Sequence, residues 1–228
     1  MYSPEIKAFI REKSNLFWSI PEDRKEEILS EKQKELLPLI RQFSREYYLA
    51  GGTAVALHIG HRRSIDFDLF KFSSLNHKKN IDRIAGLRLP YEVTWRETGQ
   101  MNVTVGDVKV TYLEYPFLIL PKKKFDNIIK IPDLIDLAAM KAYALGRRSK
   151  WKDYVDLYFI LKDYYSISQI SARASEIFEQ LFSEKLFRTQ LNYFKDIDYS
   201  EQVEYIGTPV PEDVIRTFLN EKSLEIKL

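Results

Sequence analysis

Two groups of residues have the types and spacing to do chemistry. The first is Asp66-Phe67-Asp68. Residues two apart on a strand share a face, so both carboxylates point the same way while Ile65, Phe67 and Leu69 are expected to enter the core. Two acids that close repel and need a counter-charge at neutral pH. A hard divalent cation, Mg²⁺ or Mn²⁺, is the natural one. The second group is Gly51-Gly52, about fourteen residues earlier, after the aromatic and apolar run Tyr47-Tyr48-Leu49-Ala50. Glycine backbone admits a phosphate closely, and a helix starting there aims free N–H groups at it. Each feature alone has a plain reading, a tight turn and an exposed strand face. Together they set a phosphate cradle beside a metal-binding pair.

A further block runs from Lys141 to Leu157. It holds Lys141, Arg147, Arg148, Lys150 and Lys152 without an acid, then Asp153 and Asp156 three residues apart. That spacing places both acids on one helical face.

The elements that must position these groups follow from hydrophobic period and turn residues. A helical pattern opens at Pro21 and carries Ile28, Leu36, Leu37, Ile40 and Phe43, with a break expected near Leu37 because of Pro38. Tyr47 to Ala50 reads as a strand, Thr53 to Ile59 as a short helix with Thr53 as N-cap, and Ser64 to Phe72 as a strand. Leu75 to Leu87 reads as a helix. Strands follow over Tyr91–Glu97, Met101–Val105 and Val108–Glu114, with turn residues at Gly99-Gln100 and Gly106-Asp107. Lys122-Lys123-Lys124 reads as a solvated loop, and all that follows reads as helix: Pro132–Leu145, Lys152–Tyr164, Ile167–Phe182, Lys185–Phe194 and Pro211–Lys222. The expected fold is α+β, a small mixed sheet with flanking helices and a helical C-terminal half. The expected division is residues 1–120 as the core and 121–228 as a helical half that completes the site.

Composition narrows the classes. With 45% hydrophobic and 14% aromatic residues the chain can build a core. No cysteine means no disulfide, thiolate nucleophile or Cys-ligated metal. No apolar run reaches the roughly 18–20 residues of a membrane span, and Met1 to Glu5 lack the basic start of a secretion signal, so a cytoplasmic protein with no membrane partner is expected. The net charge of +2 hides a division: from Asp163 onward there are 12 acidic and 7 basic residues, so the preceding part carries the positive excess.

The run Leu49-Ala50-Gly51-Gly52-Thr53-Ala54-Val55-Ala56-Leu57 and its continuation His61-Arg62-Arg63-Ser64-Ile65-Asp66-Phe67-Asp68-Leu69-Phe70 resemble the AbiEii/AbiGii toxin-like branch of the DNA polymerase β-type nucleotidyltransferases. The block Lys141 to Leu157 resembles the same branch, and the likeness covers about Tyr47 to Leu161. The resemblance implies transfer of a nucleoside monophosphate from a nucleoside triphosphate to an acceptor hydroxyl, with release of pyrophosphate. It implies Asp66 and Asp68 as holders of Mg²⁺ or Mn²⁺, and Gly51, Gly52 and Thr53 as phosphate binders through backbone and hydroxyl. Lys141 would neutralise triphosphate charge, Asp153 would be a further catalytic acid, and Arg148 and Lys152 would contact nucleotide or acceptor. It implies RNA, the tRNA 3′ end above all, as acceptor, and a cognate antitoxin as partner. A small-molecule nucleotidyltransferase and a non-catalytic nucleotide- or partner-binding module are the alternatives. One departure stands out: many relatives carry a third metal carboxylate on a neighbouring strand, where this chain has Thr111, leaving Glu114 or Asp153 to serve.

Overall fold

A computed structural model of the chain describes residues 27–225. The helical opening at Pro21 lies outside them. The break at Pro38 is present: α1 (Glu31–Glu35) ends at Leu36, which also starts α2 (Leu37–Gln42), with the proline in the first turn where its missing N–H costs nothing. β1 (Tyr48–Ala50) runs directly into α3 (Gly51–Ile59). β2 (Phe67–Lys71), α4 (His77–Ala85) and the meander β3 (Tyr91–Glu97), β4 (Gln100–Val105) and β5 (Val108–Glu114) follow.

The sheet order is β1-β2-β5-β4-β3. β2 and β5 are parallel and the other pairs antiparallel, giving the expected mixed sheet. Alternation fixes its two faces. Phe67, Leu69, Met101, Val103, Val110 and Tyr112 are fully buried on one, where Phe43 packs on Tyr112 at 4.9 Å. The other face carries a row set by register, Asp68 opposite Thr111 and Thr111 opposite Asn102. Ile65 departs from expectation. It precedes β2 and is 49% exposed, because the alternation begins only at Phe67.

The stretch after Glu114 is not wholly helical as expected. Lys123–Phe125 (β6) and Ile129–Ile131 (β7) form an antiparallel hairpin beside β1. Phe125, Ile129 and Ile131 face inward while Lys124 and Lys130 face out. The helices are α5 (Leu134–Leu145), α6 (Trp151–Asp163), α7 (Ile167–Phe178), α8 (Glu184–Leu191) and α9 (Glu212–Leu224), with a 3₁₀ turn over Glu179–Leu181. α5 is central. It touches α3, α6, α7 and α8. Among the described residues, no helix is long and apolar enough to cross a membrane.

Candidate active site

Where β1 meets α3, Gly51 takes φ +66°, a conformation open to glycine at little cost. The helix therefore begins two residues earlier than expected, with Ala50 as N-cap and no side-chain cap bond on its first N–H groups. Both glycines are also sterically required. A Cβ on Gly51 would overlap the carboxylate of Asp68, and one on Gly52 would lie 2.6 Å from Nη2 of Arg62. Thr53 is not the cap. It is buried, its hydroxyl bonded to Oγ of Ser64 at 2.9 Å and to the backbone oxygen of Asp66. It fixes the chain before β2 rather than offering a hydroxyl to a ligand.

Asp66 and Asp68 are half-buried and line one cavity with Gly51, Gly52, Lys141 and Arg148, of about 240 Å³. Burial pushes both carboxyls above the usual carboxylate range, and the charge of Asp68 adds to the rise at Asp66. Among the described residues, neither makes an ion pair. The Thr111 hydroxyl and the more distant charges of Arg148, Lys141 and Lys109 only partly offset the burial at Asp68. Two desolvated, like-charged oxygen donors without a cation are the donor set of a hard divalent ion that completes its shell with water and phosphate. The residues fit such an ion. No third acid joins them, since no cluster of three candidate ligands occurs among the described residues. Thr111 stands opposite Asp68, and Glu114 lies further along β5 opposite Lys71.

Asp153 is in the same cavity, but its carboxylate is held by Lys141 and by Nε of Arg148 at 2.9 Å. One turn further along α6, Asp156 is fully buried and takes three partners: Nζ of Lys141 at 2.7 Å, a two-pronged contact from Arg62 at 2.7 and 3.0 Å, and Nε2 of His61 at 2.7 Å. Burial holds His61 below its ordinary pKa, so the neutral ring donates through Nε2. The net pull of Arg62 and Lys141 overcomes burial and holds the Asp156 carboxyl well below the usual range. Three cations against two carboxylates leave one positive charge in excess beside Asp66 and Asp68. Lys152 lines the cavity and pairs with Glu201 at 3.4 Å.

Sequence reasoning thus found the carboxylate pair, the glycines and the basic block, but missed Arg62, Asp156 and Glu201. His61-Arg62-Arg63 reads as a polar loop until the buried acid of α6 appears beneath it. Glu201 arrives on a segment that bridges both motif blocks. The backbone of Arg62 pairs with Tyr205, and that of Lys150 with Asp198.

The model of the family described as nucleotidyl transferase AbiEii toxin, type IV toxin–antitoxin system, matches residues 88–221. That stretch includes Lys141, Arg148, Lys152 and Asp153; the glycines and Asp66 and Asp68 precede it. An uncharacterized protein of Aquifex aeolicus is 33% identical over 143 residues, 59% of this chain and 68% of that protein. Solved structures of similar fold include MenT4, a nucleotidyltransferase toxin from Mycobacterium tuberculosis, with TM-score 0.55 and 13% identity over 85% of this chain and 80% of that one. A putative nucleotidyltransferase from H. pylori gives TM-score 0.52 and 16% identity over 85% and 94%. JHP933 from Helicobacter pylori gives 0.51 and 17% over 86% and 91%. At these identities the structural likeness speaks for the fold, and the family match covers more than half of the sequence. The chain belongs to the AbiEii nucleotidyltransferase toxin family.

Proposed function

We propose that this protein transfers a nucleoside monophosphate from a nucleoside triphosphate to a hydroxyl of an RNA acceptor, the 3′ end of tRNA in the first instance, as the toxin of a bacterial toxin–antitoxin pair. The observation that carries the reading is the juxtaposition of the Asp66 and Asp68 carboxylates, free of ion pairs, with an uncapped helix N-terminus at Gly51-Gly52. Asp66 and Asp68 would hold Mg²⁺. When bound, the cation supplies charge neutralisation and Lewis-acid polarisation of phosphate oxygens.

The protein's own residues do the rest. Gly51 and Gly52 present backbone without side chains, so phosphate oxygens reach the first N–H groups of α3. Lys141 is buried yet charged, its pKa raised because Asp153 and Asp156 outweigh the burial penalty, so it adds positive potential to the cavity wall without swinging freely. Arg148 has a half-exposed guanidinium with donors left over after its contact to Asp153, suited to the departing pyrophosphate. The bond formed joins the α-phosphorus to the acceptor oxygen, the α–β phosphoanhydride breaks, and the hydroxyl proton leaves to solvent. In this reading Lys141, Arg148 and Lys152 of the helical half, residues 121–228, complete a site whose carboxylates come from residues 1–120.

The test is incubation with each α-labelled nucleoside triphosphate, Mg²⁺ and total RNA, beside Asp66→Ala. Label in RNA with the intact protein alone supports the reading; no transfer to RNA with any triphosphate counts against it. Growth on expression with and without the antitoxin tests the toxin role, and equal growth in both would contradict it.

A further inference from the structure

A nucleoside triphosphate has a polyanionic end and a flat, largely apolar end, and the site has a matching second compartment. Next to the charged cavity lies another of about 280 Å³, at the small end of ligand pockets, which run to roughly 300–1,000 Å³. The two share a wall made of Gly51, Phe70, Leu113, Lys141 and Arg148. Beyond that wall the second compartment is bounded by Tyr115 after β5 and by Met140, Tyr143 and Ala144 of α5. No Asp, Glu, Asn, Gln, Ser or Thr side chain lines it.

We propose that this compartment is the nucleobase subsite, where the base of the triphosphate is buried between the Phe70–Tyr115 edge of the sheet and the Met140–Ala144 turn of α5. The inference rests on the nucleotidyltransferase reading and adds a direction to it. Gly51 belongs to both compartments, so phosphates at the start of α3 leave the base one way to go on this side. Asp66, Asn102, Lys109 and Lys152 line the first cavity but not the second, so the opposite side is left for the acceptor.

The walls are built before any ligand arrives. Tyr143 stacks on Phe178 at 4.0 Å with 13° between planes, and the guanidinium of Arg147 lies 3.5 Å from the Tyr143 ring. Arg147 is tied down by bonds to the backbone oxygens of Tyr143 and Leu181. Tyr115 touches Phe70 and Phe117, each at 5.1 Å between centroids. A wall fixed in this way loses little entropy when a base enters.

Calorimetric binding in Mg²⁺ buffer, with nucleoside triphosphates and with inorganic tripolyphosphate, tests the assignment. The wild-type protein is expected to bind the nucleoside triphosphates more tightly than tripolyphosphate. Tyr115→Ala removes an aromatic wall. Ala144→Phe fills the space without removing a core contact. Each is expected to weaken nucleoside triphosphate binding by roughly tenfold or more while tripolyphosphate binding stays as it was, which also shows that the variant is folded. Equal affinity of wild type for both ligands, or undiminished nucleoside triphosphate binding by Ala144→Phe, would overturn the base subsite and leave the transferase reading standing. Failure of wild type to bind either ligand would overturn both.

Discussion

A methyl group on Gly51 would overlap Oδ2 of Asp68, so the glycine before the helix and the carboxylate on the next strand are one steric unit. The Gly-Gly pair serves phosphate approach, but the carboxylates already require it. Gly51→Ala must also hold a side chain at φ +66°, which costs about 1–2 kcal/mol. The Asp68 side chain can rotate away, so the larger effect falls on chemistry. Transfer activity is expected to drop at least tenfold while urea unfolding shows only that modest loss. Near-normal activity would show that the contact with Asp68 is dispensable.

The raised carboxyls of Asp66 and Asp68 carry a stability sign. A carboxyl whose folded pKa exceeds its unfolded value costs stability as pH rises through the interval between the two, and at pH 7 the cost is fully present. Asp66→Asn and Asp68→Asn are therefore expected to melt higher than wild type in chelator, by about 2–4 °C per kcal/mol relieved. Mg²⁺ should raise the melting temperature of wild type and not of the variants. Lower melting of both variants in chelator would contradict this electrostatic account.

Lys141 should behave in the opposite way. Lys141→Met leaves Asp153 and Asp156 buried with one cation fewer, and breaking a buried pair of this kind costs about 3–5 kcal/mol. Denaturant melts of Lys141→Met and Asp66→Asn side by side are expected to move in opposite directions. A Lys141→Met melt matching wild type would mean that the ammonium does not hold the network.

Acid should unfold the protein through two identifiable groups. Burial lowers the His58 pKa to about 4, with its Nε2 bonded to the Pro132 oxygen at 2.8 Å. The unfolded imidazole takes a proton near pH 6.5 and the folded one does not, so stability falls as pH drops from about 6.5 toward 4, by roughly 3 kcal/mol. Asp156 has a depressed carboxyl, so its contribution is present at neutral pH and is lost on further acidification. His58→Gln is expected to flatten the dependence between pH 6.5 and 4 while leaving the deeper acid transition. An unchanged slope would remove His58 as its source.

Much of this site was legible because its signals are local. Alternation around Phe67 and Leu69 fixed the face of Asp68, and turn residues marked the β3–β5 meander. What escaped is non-local. Arg62 and Asp156 are 94 residues apart, and neither shows in its own neighbourhood that it is a buried partner. The β6–β7 hairpin hides behind three lysines, and its three inward residues make sense only against β1. Thr53 looked like a cap because hydroxyls favour that place, but the positive φ of Gly51 let the helix start earlier and left the hydroxyl to pin Asp66.

The central claim is that nucleoside monophosphate leaves the triphosphate at the Asp66–Asp68 site. Parallel reactions with α-labelled and γ-labelled nucleoside triphosphate, Mg²⁺ and RNA measure it most directly, with Asp68→Asn as control. The expected result is α-label in RNA and γ-label in pyrophosphate, both abolished in the variant. Label in RNA from the γ position, or α-label transfer undiminished in Asp68→Asn, would contradict the account.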